Sequence, residues 1–304
     1  GADDYRTGLR EGMPIYCPVR GDGTYDDSVP EWMQGMSIWD ANEKVLEHIR
    51  ESGHLFHAYM FNHSYPHDWR GKSPVIFRAT EQWFIGVDRP FGDGDSLRER
   101  GLQSVRETID FVPSWGRNRM LGMLESRPDW CLSRQRAWGL PIPAFRSEDG
   151  GTFLTAASVR AVALAFRQRG SDAWFTETPE MLLADYDHAS DPDAPDGFDA
   201  GSLEKMSDIF DVWFESGSSW NAVMRERDLG YPIDVYLEGS DQHRGWFQAS
   251  LLPALGATGS PPYKTLITHG FMVDKDGKKM SKSLGNALEV EALVNEYGAD
   301  VCRW

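Results

Sequence analysis

The stretch Ile233-Asp-Val-Tyr-Leu-Glu-Gly-Ser-Asp-Gln-His-Arg-Gly-Trp-Phe247 decides the fold that we predict for this chain. Its first six residues are typical of a β-strand, and Gly239 interrupts the pattern before a predicted helix from about Asp241 to Leu255. A second apolar run, Tyr263 to His269, follows that helix and predicts another strand. Strands that alternate with helices in this way predict an α/β fold with a parallel sheet.

Polar residues stand where the predicted strands end. A predicted strand from Asp211 to Phe214 runs into Glu215, and Glu238, Asp241 and His269 follow the other two strands. Because ligands of parallel α/β sheets bind beyond the carboxyl ends of the strands, we expect a binding site there.

The segment Lys279-Met-Ser-Lys-Ser283 follows a predicted hairpin turn at Asp276-Gly277. A lysine ammonium suits polyphosphate oxygens, although such a loop taken alone is more often merely solvated. The helix start after Gly239 offers free N–H groups. The carboxylates of Glu238 and Asp241 would accept hydrogen bonds from ribose hydroxyls. With Trp213 and Trp246 as apolar walls, these features predict a nucleotide beside a small apolar pocket.

Elsewhere the pattern predicts further helices and strands. The predicted helices run from Asp40 to Ser52, through residues 96–127 with the second starting near Ser114, from Thr155 to Arg169, and from Leu288 to Tyr297. Residues 74–85 and 140–145 are predicted strands, and residues 1–37 are predicted to form strands and loops.

Composition narrows the class of protein. The 304 residues include 12 Trp and 15 Phe, which is ample for a packed core. A net charge of −16 argues against a general nucleic-acid-binding module. The sequence has no apolar run long enough to predict a membrane span. Cys17, Cys131 and Cys302 are far apart, which favours a reducing, cytoplasmic setting over a disulfide framework or a zinc site.

Three groups of residues can be interpreted either as functional or as purely structural. His63 and His67 are metal-ligand types, but Asp68 and Gly71 stand where a Cys pair would be needed, so loop histidines are favoured. The aspartate-rich loop 185–199 lacks an EF-hand pattern and is predicted to be a solvated insertion without metal. Arg134 and Arg136 fit an anion ligand and a structural ion pair equally well.

Five segments in register resemble one known family, the class I aminoacyl-tRNA synthetases, and within that class the isoleucine enzymes. The segments are Lys279–Ser283, Glu238–Phe247, Asp211–Gly217, Ser133–Gly139 and His63–Arg70. The resemblance spans essentially the whole chain. It implies that residues 96–304 form the second half of a Rossmann-type parallel sheet. Residues 1–95 would be a mixed α+β remnant of the inserted editing domain and its return to the core.

The resemblance also implies roles for individual residues. Lys279 and Lys282 would stabilise the departing pyrophosphate as the catalytic pair. The isoleucine pocket would use Trp213, Gln242 and Trp246, and Asp4 would hold the amino group of a misattached valine in editing. The ATP or adenylate site would use Glu238, Gly239, Asp241, His269, Lys279, Met280, Ser281, Lys282 and Ser283.

The implied reaction activates isoleucine with ATP and Mg²⁺ and transfers it to tRNA(Ile), in a protein expected to be monomeric. The chain departs from the family pattern, because it contains no His-x-Gly-His motif and has Glu215 where relatives usually have Asp. No zinc is predicted. We therefore expect an internal part of a longer enzyme that is inactive alone. A valine-type synthetase and a non-catalytic, synthetase-like binding module are the alternatives.

Overall fold

The computed structural model describes residues 2–68, 71–92, 94–281 and 285–303. They fall into two compact units, Gly1–Glu81 and Gln82–Trp304. The division between residues 95 and 96 stays a prediction, because compact units and inserted domains need not share their ends. Within the described ranges, no helix is long and apolar enough to cross a membrane.

The first unit contains two helices, α1 (Ala2–Arg10) and α2 (Ala41–Glu51), and a 3₁₀ turn at Glu31–Met33. Helix α2 confirms its prediction. Helix α1 contradicts the prediction of strands and loops over residues 1–37. Its first turn carries Asp3 and Asp4 and its last turn carries Arg10, a charge arrangement that stabilises the helix dipole.

The strand predicted over residues 74–85 is wrong for most of its length. Only Phe84–Ile85 (β1) forms a ladder, antiparallel to Trp130–Cys131 (β3). Pro74 makes one isolated bridge with His67. An alternating pattern becomes a strand only where a partner supplies hydrogen bonds, and residues 75–83 have no assigned strand partner in the described structure.

The centre of the second unit is a parallel sheet of β2 (Asp110–Val112), β10 (Tyr263–His269) and β9 (Ile233–Gly239), in the order β2-β10-β9. Both long strands match their predictions, and the parallel sheet is confirmed. Leu266 stands between Phe111 and Tyr236 in the register, so these three side chains share one face.

That face is buried and carries the core. The sheet residues pack against helices α3 (Leu97–Glu107), α4 (Trp115–Glu125) and α9 (Trp246–Thr258). The apolar residues buried there include Val105, Met120, Leu124, Phe247, Leu251 and Leu255. On the opposite face Val235 and Leu237 are 49% and 52% exposed. The sheet is therefore covered on one side by the residues described.

The predicted strand at Asp211–Phe214 is wrong. The strand β8 (Ile209–Phe210) ends before it, and Val212–Gly217 forms helix α8. The Asp211 carboxylate accepts a hydrogen bond from the Trp213 amide and so caps the helix. Glu215 therefore lies inside a helix rather than at a strand end.

The helix predicted from Asp241 has two parts. A 3₁₀ turn covers Ser240–His243, and α9 begins at Trp246. The Gln242 side chain accepts from the Trp246 amide at 3.0 Å, which provides a hydrogen-bond partner for the new helix start. A Cβ at Gly245 would lie 2.7 Å from that Gln242 oxygen, so a larger residue at this position would displace the Gln242 side chain.

A smaller layer lies between residues 140 and 210. Strands β5 (Phe145–Arg146), β6 (Thr152–Phe153) and β7 (Glu204–Lys205) form an antiparallel sheet against α5 (Ala156–Arg169). Helix α5 confirms its prediction. Of the predicted 140–145 strand, Phe145 joins the β5 ladder and Pro141 makes an isolated bridge with Ile209. The remaining elements are β4 (Ser133–Arg134), α6 (Ala173–Thr176), α7 (Pro179–Leu182), 3₁₀ turns at His188–Ser190 and Ala200–Ser202, a π-helix at Trp220–Arg225, α10 (Val290–Tyr297) and α11 (Ala299–Arg303).

The loop 185–199 is only partly solvated, which corrects the prediction. Asp191 is buried, and its carboxylate accepts hydrogen bonds from the Thr155 and Tyr186 hydroxyls at 2.6 and 2.8 Å. The Thr155 bond is the main cause that lowers the pKa of Asp191. Burial, and then the bond to Asp191, raise the pKa of Tyr186 to about 12. The loop therefore fixes the start of α5.

The substitution Thr155→Val should lower the free energy of unfolding of the second unit by about 1–2 kcal/mol. It keeps the side-chain shape but removes the hydroxyl that both accepts from the Ser158 amide and donates to Asp191. Urea denaturation followed by far-ultraviolet circular dichroism measures the change. Thr152→Val, on the exposed side of β6, is the matched control and should leave the midpoint unchanged. Equal midpoints for both variants would contradict the capping role.

Candidate functional site

Three predicted site residues meet at the carboxyl ends of β9 and β10. His269 stands opposite Gly239, and Thr268 opposite Glu238. A Cβ at Gly239 would lie 2.7 Å from an Asp241 carboxylate oxygen and 3.8 Å from the His269 ring. Glu238, Asp241 and His269 are all exposed, and Asp241 and His269 both approach Gly239 at the strand ends. That a ligand binds at these strand ends stays a prediction.

Hydrogen bonds at both ends of its amide orient the Gln242 side chain of the Ser240–His243 turn. Gln242 donates through Nε2 to Asp241 Oδ2 at 3.2 Å, while its Oε1 accepts from the Trp246 amide at 3.0 Å. Both ends of the amide are thereby engaged. Gln242 is oriented before any ligand arrives.

Two tryptophans flank this turn in different environments. Trp246 stacks on Tyr236, with ring centroids 4.0 Å apart, and its indole N–H donates to the Ser216 carbonyl at 2.9 Å. Trp213 is 43% exposed, and its ring edge would lie 3.4 Å from a Cβ at Gly245. The structure thus brings Trp213 and Gln242 close together and sets Trp246 against the core.

A cavity of about 360 Å³ opens beside the turn. Trp213, Asp241 and Gln242 line it, and Trp246 is not among its described lining residues. The residues that complete its wall are Arg127, Trp130, Asp211, Arg244, Gly245 and Ala249. The cavity is large enough for a small ligand and combines aromatic surface with both signs of charge.

Arg127 belongs to this wall and was not a predicted site residue. Its guanidinium lies over the Trp130 ring, 5.1 Å from the centroid, and donates to Gln248 Oε1 at 3.0 Å. Burial lowers the pKa of Arg127, while the Asp211 charge acts in the opposite direction. The sequence signal was weak, because an arginine just beyond α4 is typical of an exposed helix end.

Asp211 connects the cavity wall to the strands behind it. The carboxylate is 8% exposed and accepts from the Trp130 indole at 3.0 Å and from Arg134 Nη2 at 2.9 Å. Arg134 is therefore a structural ion-pair partner. Arg136 remains exposed, and its guanidinium donates to the neighbouring Gln135 carbonyl.

The hairpin predicted at Asp276-Gly277 is confirmed. The Gly277 amide donates to the Asp274 carbonyl, and Gly277 has a φ of 74°, which favours glycine. The Met280 amide donates to the Met272 carbonyl across the two arms. Lys279 places its ammonium 3.6 Å from the centroid of the Phe271 ring. Lys282 and Ser283 lie outside the described residues.

Asn286 ties the two arms of this hairpin together. Its Oδ1 accepts from the Ser281 amide at 3.0 Å, and its Nδ2 donates to Asp274 Oδ2 at 2.7 Å and to the Lys279 carbonyl at 3.3 Å. The bond from Asn286 is also the main cause that lowers the pKa of Asp274. We name this set of contacts the Asn286 clamp. It joins the Lys279 carbonyl and the Ser281 amide on one arm to the Asp274 side chain on the other.

The other predicted site residues lie elsewhere. Asp4 is an exposed residue of α1 in the first unit. Glu215 accepts from the Leu140 amide at 3.3 Å. His63 and His67 belong to a row of aromatic rings, and no cluster of three metal-ligand side chains occurs in the part of the chain that the structure describes.

Comparison with known proteins gives a consistent family match. Residues 20–304 match the family model described as tRNA synthetases class I (I, L, M and V). The isoleucine–tRNA ligases of Kosmotoga olearia and Nitratidesulfovibrio vulgaris strain DP4 are 46% and 47% identical to this chain over its whole length. The chain covers 32% and 31% of those two proteins. It thus spans about a third of the length of the curated relatives it matches.

A solved structure, the ternary complex of Agrobacterium radiobacter K84 agnB2 LeuRS-tRNA-LeuAMS, has a TM-score of 0.38 and 22% identity. The matched region covers 57% of this chain and 24% of the chain in that structure. A similarity of this size is too low to define the fold.

The substitution Asn286→Ala should speed hydrogen exchange at the Ser281 amide. The amide loses its side-chain acceptor, and backbone next to Lys279 loses the Asn286 clamp. Exchange measured by mass spectrometry on peptides covering 272–286 reads out the effect. Asn295→Ala, an exposed position in α10, serves as the matched control. An unchanged exchange rate in Asn286→Ala would show that the clamp does not order the hairpin.

Proposed function

Because the chain belongs to the class I tRNA synthetase family, we propose that it carries part of an isoleucine–tRNA ligase. The intact protein would activate isoleucine with ATP and transfer it to tRNA(Ile). The observation that carries the proposal is the approach of Asp241 and His269 to Gly239, beside a cavity lined by Trp213 and Gln242. Relatives named isoleucine–tRNA ligase at 43–47% identity support this substrate over valine.

The nucleotide would bind outside the strand ends. Glu238 and Asp241 are exposed carboxylates that can accept hydrogen bonds from ribose hydroxyls, and Gly239 allows close approach of the backbone. The ring of His269 offers a face to adenine. The hairpin supplies Lys279 for the phosphates, and we propose Met280, Ser281, Lys282 and Ser283 for the same contact. Magnesium enters as part of the ATP substrate.

The amino acid would bind in the cavity beside the turn. Trp213 offers exposed aromatic surface there, and the Gln242 amide is already oriented by its two hydrogen bonds. Trp246 would set the depth of the pocket from behind, because its ring is held against Tyr236. Trp213 and Trp130 offer apolar surface to a branched aliphatic side chain, and the Gln242 amide and the charged groups of the wall can contact the polar groups of an amino acid.

The reaction needs positioning and charge neutralisation more than covalent help from the protein. An oxygen of the isoleucine carboxylate attacks the α-phosphorus and forms the adenylate. The bond between that phosphorus and the α–β bridging oxygen breaks, and pyrophosphate leaves with the electron pair. Lys279 and Lys282 would stabilise its negative charge. A ribose hydroxyl of tRNA then attacks the acyl carbon, and AMP departs.

We further propose that residues 1–95 belong to an editing domain in which Asp4 holds the amino group of a misattached valine. The supporting observation is that Asp4 is exposed on α1 and so is accessible to a ligand. A carboxylate is the side chain that pairs with an ammonium. Editing would supplement the weak discrimination that one methylene group allows in an apolar pocket; isoleucine–tRNA ligase is itself the standard example of that limit.

The 304-residue chain alone should show no isoleucine-dependent exchange of pyrophosphate with ATP. The family's His-x-Gly-His motif is absent from its sequence, and one face of the sheet at the site is open. The assay is label exchange between pyrophosphate and ATP, with the intact protein as the positive control. Exchange by the purified chain at a rate near that of the intact protein would refute this expectation.

In the intact protein, Trp246→Ala should raise the KM for isoleucine at least about tenfold, because a buried aromatic contact beside the pocket is lost. The KM for ATP should change far less. Lys279→Ala should show the reverse pattern, with impaired ATP use. Phe175→Ala, at a 61% exposed position far along the chain, is the control for aromatic truncation. Equal losses for both substrates in Trp246→Ala would argue against the pocket assignment.

A further inference from the structure

A buried histidine lies directly behind the turn that carries Asp241 and Gln242. His243 is 0% exposed, and its ring packs between Trp115 and Phe247 at centroid distances of 5.9 and 5.3 Å. None of the roles proposed above uses its imidazole. A polar ring in so apolar a place needs partners for both nitrogens.

One nitrogen has a partner within the turn itself. His243 Nδ1 lies 3.1 Å from the Ser240 carbonyl oxygen, which can only accept, so Nδ1 carries the proton. Burial lowers the pKa of His243, Arg119 acts in the same direction, and the Ser240 carbonyl opposes them. The ring is therefore neutral, and Nε2 is an acceptor.

The second nitrogen faces another buried polar atom that also lacks a partner. Neither His243 Nε2 nor Thr268 Oγ1 has a hydrogen-bond partner within the described ranges. Both approach the same point above Gly116, because a Cβ there would lie 3.2 Å from Nε2 and 3.8 Å from Oγ1. A hydroxyl donor and an imidazole acceptor are complementary, and a water that contacts both would give each atom a partner.

We propose that His243 is a positioning residue that locks the Ser240–His243 turn to strand β10. Its Nδ1–H holds the Ser240 carbonyl, and its Nε2 is joined to Thr268 Oγ1 through one buried water above Gly116. Thr268 stands opposite Glu238 and next to His269 in the strand pair. The link therefore sets the position of Asp241 and Gln242 relative to the strand ends.

The backbone of the same turn is held from the other side. Gln248, which is buried, donates to the His243 carbonyl at 2.7 Å and accepts from Arg127 at the cavity wall. The turn is thus fixed at two points, one toward β10 and one toward the cavity. Loss of the first should displace Asp241 and Gln242 together, and so affect nucleotide and amino acid alike.

The test is a double-mutant cycle of His243→Phe and Thr268→Val in the intact protein. Its kinetic readout, isoleucine-dependent exchange of pyrophosphate with ATP, rests on the proposed function. Each single variant should raise the KM for both isoleucine and ATP about tenfold, with a smaller change in kcat. The double variant should be no worse than either single one. His243→Asn keeps a donor for Ser240, and His243→Gln keeps a polar group at Nε2, so each should recover part of the loss.

A readout that does not depend on activity accompanies the kinetics. The Arg244 and Gly245 amides donate to the Asp241 and Gln242 carbonyls at 3.2 and 3.1 Å, so their hydrogen exchange reports on the turn. Exchange should speed up in both single variants and no further in the double variant. Thr265→Val, on the opposite face of β10, is the control and should change neither readout.

The outcomes separate the two proposals. Additive effects in the cycle, or unchanged amide exchange in His243→Phe and Thr268→Val, would overturn the link between His243 and Thr268. Coupled amide exchange in a protein without isoleucine-dependent activity would leave the link standing and refute the proposed function alone.

Discussion

The parallel pairing of β9 with β10 is the constraint on which the site depends. The pairs run from Tyr263 and Ile233 to His269 and Gly239, so both strands end at the same level. Each strand must then turn away at that level, and the turn after β9 leaves polar groups facing the space beyond it. Glu238, Asp241 and His269 lie at the same edge of the sheet because the strands are parallel and in register.

The cavity wall depends on a second constraint, the buried carboxylate of Asp211. It accepts from Trp130 and Arg134 and also caps α8. Helix α8 then packs so closely on α9 that a Cβ at Gly217 would lie 2.1 Å from the Ala249 carbonyl oxygen. The Asp211 carboxylate therefore determines where α8 begins, and Gly217 determines how closely α8 packs on α9. Together they determine where Trp213 presents its ring.

The sequence predicted β9, β10, α5 and the hairpin because each is specified by local signals, such as alternation, a cap or a turn pair. It failed at α8. The Asp211 carboxylate that caps this helix is held in place by Trp130 and Arg134, which lie some 80 residues away in the sequence. Asp191 was wrongly predicted to be solvated because its partner Thr155 is distant in the sequence. The approach of His243 to Thr268 over Gly116 likewise joins three separate elements, and no periodic pattern in the sequence predicts it.

The Ser240–His243 turn and the Lys279 side chain differ in how firmly they are held. The Ser240–His243 turn rests on buried partners, whose loss leaves polar groups without water to replace them. Lys279 instead rests on an exposed ring contact with Phe271, which is worth only about 0.5–1 kcal/mol. The Asn286 clamp holds the hairpin backbone through a single side chain. Under the proposed function, the rigid turn would define where ribose and amino acid bind, while the lysine would leave its ring to follow the moving charge of a departing pyrophosphate. A lysine held as firmly as the turn could not follow that charge.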